Sequence, residues 1–121
     1  NMAVPNITNT DDIEIKVAFI SGLNNSAETI ITVASDDVVK VDSIMVANTN
    51  ATTDYTVTLY IDDDAGGSGN LYYIAKGVNV PAATTLRIEG PIHLEESDLL
   101  RGLASTDGHL DVVASYVAIS D

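Results

Sequence analysis

Residues 55–61 read Tyr-Thr-Val-Thr-Leu-Tyr-Ile. Tyr55, Val57, Leu59 and Ile61 fall on one side of an extended chain, and Thr56, Thr58 and Tyr60 on the other, a strict period of two. β-Branched and aromatic residues fill both rows, which suits a pleated, partly covered strand. A glycine-rich stretch from Asp62 to Asn70 follows, and Leu71-Tyr72-Tyr73-Ile74-Ala75 then returns as the hairpin partner.

Downstream the same period continues. Val78-Asn79-Val80-Pro81 is predicted to turn the chain. Leu86, Ile88, Ile92 and Leu94 keep one phase across Gly90-Pro91. Proline cannot donate to a central ladder, so that strand is expected to be kinked or to lie at an edge. A turn at Glu95-Glu96-Ser97-Asp98 leads into Leu99–Leu103, and Ser105-Thr106-Asp107-Gly108 turns again. The last strand, Leu110 to about Ile119, is apolar on both faces at Val112, Val113, Tyr116 and Val117, which predicts a central position.

Upstream, Val39 and Val41 share one phase while Ile44 and Val46 share the other. The slip across Asp42-Ser43 predicts a β-bulge or a strand that changes sheets. Thr29–Val33 reads as a short strand after the loop Ser21–Ser26. Ile13, Ile15, Val17 and Phe19 alternate with Glu14, Lys16 and Ala18, the pattern of a half-buried strand with Phe19 in the core. No window has a helical period, and Ser26 to Ile30 holds one helical turn at most. Eight or so short strands, with polar turns every 8–12 residues, predict an all-β fold: an antiparallel β-sandwich or jelly-roll-like barrel. The expected organisation is a flexible N-terminal arm over 1–12, open to adding a strand to a neighbour, and one sandwich domain over 13–121.

The 121 residues suit a single domain, and folding at that length buries roughly two-thirds of the chain's surface. With no cysteine there are neither disulfides nor thiolate metal sites. Asn1 before Met2 reads as an added residue ahead of the natural start, and Ala3–Thr8 lacks the pattern of a secretory signal. No apolar run approaches the roughly 18 residues that span a bilayer, so a soluble domain is expected.

Net charge is the most informative total. Lys16, Lys40, Lys76, Arg87 and Arg101 stand against eighteen carboxylates, a formal charge of −13. Nucleic-acid binding draws on cations that displace phosphate counterions, and anionic membranes need the same, so neither is an expected partner.

Catalytic patterns are lacking. Gly66-Gly67-Ser68-Gly69-Asn70 fails the nucleophile-elbow pattern at its last position and sits in a hairpin loop. His93 and His109 each stand outside any paired zinc-ligand spacing. Asp62-Asp63-Asp64 is the best cation candidate, but Ala65-Gly66-Gly67 breaks the EF-hand pattern, and the plain reading is a solvated hairpin tip. Carboxylate pairs at glycosidase spacing arise by chance among eighteen acids. Tyr60, Tyr72 and Tyr73 cluster near one hairpin and would be the platform if sugars bind, while the plain reading is that they pack across strands with their hydroxyls in water. No cofactor and no enzyme activity is expected. The sequons at Asn6, Asn24 and Asn50 are expected by chance in a chain so rich in asparagine and threonine.

One further signal is a layout. It runs from Tyr55–Ile61 through Leu71–Lys76 and Val80-Pro81-Ala82-Ala83-Thr84-Thr85-Leu86 to Gly90–Leu100 and Leu110–Tyr116. This strand, tyrosine hairpin, V-P-A turn, L-x-x-x-D-x-L and closing V-x-A-S-Y strand resembles small virion proteins of tailed bacteriophages, over roughly residues 40–119. The resemblance implies a structural protein of the particle, most like a capsid decoration (cement) protein on the outer capsid surface, made in the host cytoplasm. Its implied partners are the major capsid protein or other virion proteins and its own copies, a trimer favoured. It implies no catalytic residues. An acidic protein repelled by packaged DNA suits the exterior. In the arm, Val4, Pro5 and Ile7 are the candidate interface residues, being apolar outside any strand period. The alternative function is a glycan-binding or adhesion module on a tail or fibre.

Overall fold

A computed structural model describes residues 12–63 and 69–120. They form eight strands: β1 (Asp12–Ile20), β2 (Glu28–Thr32), β3 (Asp37–Asn48), β4 (Tyr55–Asp62), β5 (Leu71–Val80), β6 (Thr85–Leu94), β7 (Leu99–Ala104) and β8 (Leu110–Ser120). One sheet has the order β1-β8-β3-β6 and the other β2-β7-β4-β5, with every pairing antiparallel. Strand β1 pairs with β8, β2 with β7, β3 with β6 and β4 with β5, so the chain is one long hairpin rolled into two sheets. That is the jelly-roll arrangement of the β-sandwich class. The sandwich expected from the alternation is the observed fold.

The core lies between the sheets. Val39, Val41, Ile44 and Val46 of β3 and Leu110, Val112 and Ala114 of β8 face Ile31, Val57, Leu59 and Leu100, all essentially inaccessible to water. Gly102 of β7 is the close-approach point, where a Cβ would sit 2.7 Å from the Leu59 Cδ2 atom. Strand β8 is central, as its composition predicts.

The phase slip on β3 is a β-bulge: both ladders shift register between Val41 and Ser43. It meets the irregularity on β6, where Gly90-Pro91 is a cis peptide on an edge strand. A Cβ at Gly90 would run into the Val41 carbonyl oxygen, so the two distortions fit only because that residue is glycine.

Two expectations are corrected. The turn placed at Val78–Pro81 lies later, because β5 continues to Val80 and Thr84 N–H donates to the Pro81 carbonyl at 3.2 Å. Two register shifts against β4 and the positive φ of Gly77 (61°) carry β5 through the apparent break. Ser26–Ile30, where one helical turn at most was expected, holds none and passes from a bend into β2.

The second correction concerns β1. Ile13, Ile15, Val17 and Phe19 are exposed, Ile15 at 87% and Phe19 at 74%, and it is Ala18 and Ile20 that pack on the core. The cause is register. Residues 13, 15, 17 and 19 pair with Ile119, Val117, Ser115 and Val113, the outward row of β8, whose inward row is Leu110, Val112, Ala114 and Ala118. Paired residues share a face, so β1 must turn its larger apolar row outward.

Candidate functional site

The residues singled out for chemistry are not assembled into a centre. Asp62 is buried while Asp63 is exposed, and Asp64 lies outside the described residues. The Asp63 carboxylate accepts the Asn70 N–H at 2.8 Å and the Asp63 N–H donates to the Asn70 carbonyl at 3.2 Å, so Asp63 helps close the β4–β5 hairpin. Among the described residues no group of three or more acids or histidines could hold a metal ion. His109 stacks flat on Tyr55, ring centroids 4.7 Å apart, while His93 is exposed on β6 opposite Lys40.

The tyrosines do not share one platform. Tyr60 is only 7% exposed and lies against Tyr73, centroids 5.7 Å apart, with the Lys76 Nζ 4.7 Å above the Tyr73 ring. Tyr72 pairs with Ile61 and therefore occupies the opposite face of β5. Val4, Pro5 and Ile7 lie outside the described residues.

What the fold does assemble is an apolar sheet face. On the outside of β1-β8-β3 the rows are Ile13, Ile15, Val17, Phe19; Val113, Ser115, Val117, Ile119; and Val38, Lys40, Ser43, Met45. Ile13, Ile15, Val17, Phe19, Val38 and Ile119 are each more than a third exposed. At ordinary side-chain areas those six present roughly 600 Å² of apolar surface, the top of the range for the largest patch on a monomer. The two outward rows of β1 and β8 from residue 113 onward contain no charge. Lys40 is held by Asp42 at 3.3 Å, and Arg87 on the flanking β6 by Glu89 at 3.4 Å.

The face has relief. Phe19 protrudes at one end, beside Val113. At the other end a hollow of about 330 Å³ is lined by Val38, Val39, Lys40, His93, Leu94, Glu95 and Ile119. Beyond it Asp36, Asp37, Glu95 and Glu96 border an acidic hollow of about 410 Å³, where the Asp36 N–H donates to Glu96 at 2.8 Å.

Sequence reading missed this face, although one signal for it was present. Strand β8 is apolar in both phases and β1 is strongly apolar in one, yet a two-layer sandwich has a single core to fill. One of those rows had to face out.

No family model and no curated protein matches the sequence. Solved structures with the same fold exist. A chain of the infectious bursal disease virus Gx strain aligns over 92% of this chain and 33% of its own, at 12% identity and TM-score 0.53. A chain of the T13 particle of that virus aligns over 92% and 31%, at 9% identity and TM-score 0.54. A chain from the disulfide-linked pili of Bacillus endospore appendages aligns over 89% and 88%, at 14% identity and TM-score 0.52. The protein thus spans about a third of the viral chains and nearly all of the pilus chain, and at these identities what it shares with them is the jelly-roll fold.

Proposed function

We propose that this protein is a structural subunit of a virus particle, and specifically a decoration (cement) protein on the outer capsid surface of a tailed bacteriophage. The observation that carries the reading is the outward apolar face of β1-β8-β3. A sheet face with this much exposed apolar surface is stable in water only at a cost that a partner removes. The fold supports it, being one that virus-particle chains and a pilus chain also use. Of these two kinds of assembly, a disulfide-linked one finds no thiol in these 121 residues. The charge of −13 supports the exterior, since packaged DNA repels it. The partners in this reading are further copies of this chain, which share the apolar face, and the major capsid protein or another virion protein; the location is the virion, and the role needs neither catalysis nor a cofactor.

The test is co-sedimentation of the purified protein with intact phage capsids that lack it, with DNA and host polysaccharide as parallel arms. Saturable binding at a fixed ratio to the capsid lattice is expected, with no retention on DNA. Failure to bind any capsid sinks the decoration reading. Retention on polysaccharide that disappears in Tyr73→Ala would move the assignment to a glycan-binding module.

A further inference from the structure

We infer that the apolar face of β1-β8-β3 is covered by the same face of a second copy of this chain, the Phe19 ring of each copy entering the Val38–Ile119 hollow of the other. The inference rests on the reading of this face as a contact surface and names its occupant.

Three observations favour a second copy over a different protein. The first is relief. One surface carries both a protruding aromatic and an apolar hollow large enough for a ring, at opposite ends of the same strands. A knob and a hole on one patch are what a two-fold contact requires, because each residue must meet its partner from the other copy. A differently shaped protein would need only one of them.

The second is charge. Two copies together bring a formal charge of twice −13, and most of their surfaces repel. The rows of β1 and β8 from residue 113 onward are free of carboxylates, and carboxylates enter the contact only toward the hollow, at Glu95, so this is a direction in which like molecules can approach closely. A partner of opposite charge would instead be recognised through the carboxylates, where electrostatic complementarity gives specificity.

The third is area. Roughly 600 Å² per copy makes about 1,200 Å² when two are paired, the lower edge of stable specific interfaces. Sheets packed in this way stack about 10 Å apart with interdigitated side chains, and Ile15, the most exposed of these residues, then becomes central.

The experiment is sedimentation velocity on the purified protein alone, without capsids. The wild type is expected to sediment as a pair. Phe19→Asp and Val38→Arg should each halve the mass, with Ile15→Asp as a third variant, and all three should stay folded, melting near the wild type diluted to single chains, because the replaced side chains are exposed in the single chain. Mixing Phe19→Asp with Val38→Arg protein should partly restore pairs, since one intact ring and one intact hollow then meet. A monomeric or trimeric wild type overturns the inference, as do pairs that survive all three substitutions or a mixture that stays monomeric. Capsid binding is scored separately. Pairs that ignore capsids leave this contact standing and remove the decoration role, whereas capsid-binding monomers do the reverse.

Discussion

Strands β1 and β4 look alike on paper and behave oppositely in the fold. Each places aliphatic or aromatic residues at alternate positions over at least seven residues. In β4, Val57 and Leu59 of that row are fully buried. In β1 the corresponding row, Ile13 to Phe19, faces outward. The difference is made by neighbours. Strand β4 lies between β7 and β5, and its apolar row pairs with Ala104, Gly102 and Leu100, which face the opposite sheet. Strand β1 is an edge, held by β8 alone in its sheet, and β8 has apolar residues to offer on either face. Alternation therefore identifies a strand and divides its side chains into two sets. The register of the partner decides which set is core.

Truncation in the two strands separates these cases most sharply. Leu59→Ala should destabilise the domain by about 2–5 kcal/mol, since it empties a fully enclosed site under Gly102. Ile15→Ala should change the stability of the isolated domain by no more than about 0.5 kcal/mol. Urea unfolding of both variants, at a concentration where the protein is monomeric, is the measurement. Equal losses would break the contrast and return the β1 row to the core.

The same reasoning explains which parts of the fold were legible. The bulge at Asp42-Ser43 could be read because it moves apolar residues from odd to even positions within one strand, an intrinsic mark. The edge position of β6 could be read because Pro91 lacks an N–H. Strand β8 announced its central place through its apolar composition on both faces. The facing of β1 could not be read, because it depends on a pairing about a hundred residues away, Phe19 with Val113 and Ile13 with Ile119. The cross-strand packing expected of tyrosines on this hairpin is found between Tyr60 and Tyr73, although the 7% exposure of Tyr60 could not be read from its own strand. The candidate surface was hidden for the same reason, being the sum of three rows from distant segments.

A smaller effect tests how each strand is entered. Strand β4 follows a polar tie: the buried Asn48 side chain donates to the Thr53 and Val80 carbonyls, both at 2.9 Å, and its Oδ1 accepts the Asn50 N–H at 2.9 Å. Asn48→Ala removes a buried hydrogen bond to a β5 carbonyl and should cost about 1–3 kcal/mol. On β1 the Glu14–Lys16 pair, 3.7 Å apart and half-exposed, has no comparable role, and Lys16→Ala should move the unfolding midpoint little. A large loss in Lys16→Ala would show that β1 is anchored through charge after all.

The smallest effect is also at the start of β4, and it is a matter of pH. Asp54 is held below its ordinary value of 3.8, first because its carboxylate accepts the Ala82 N–H at 2.9 Å and then because it accepts the Asn79 side-chain amide at 3.1 Å. Both bonds favour the ionised form in the folded protein, so the folded domain binds this proton less readily than the unfolded chain does. The contribution is complete above the unfolded value and is lost as pH falls through the lower folded one. Asp54→Asn removes this titration. The variant should melt at a slightly lower temperature than the wild type at neutral pH, and the gap should narrow as pH falls below about 4, where the unfolded wild-type carboxylate takes up its proton first. If no gap opens between Asp54→Asn and the wild type at neutral pH, the clamp acts through geometry alone, and the entry to β4 is held by hydrogen bonds that a neutral amide makes as well as a carboxylate.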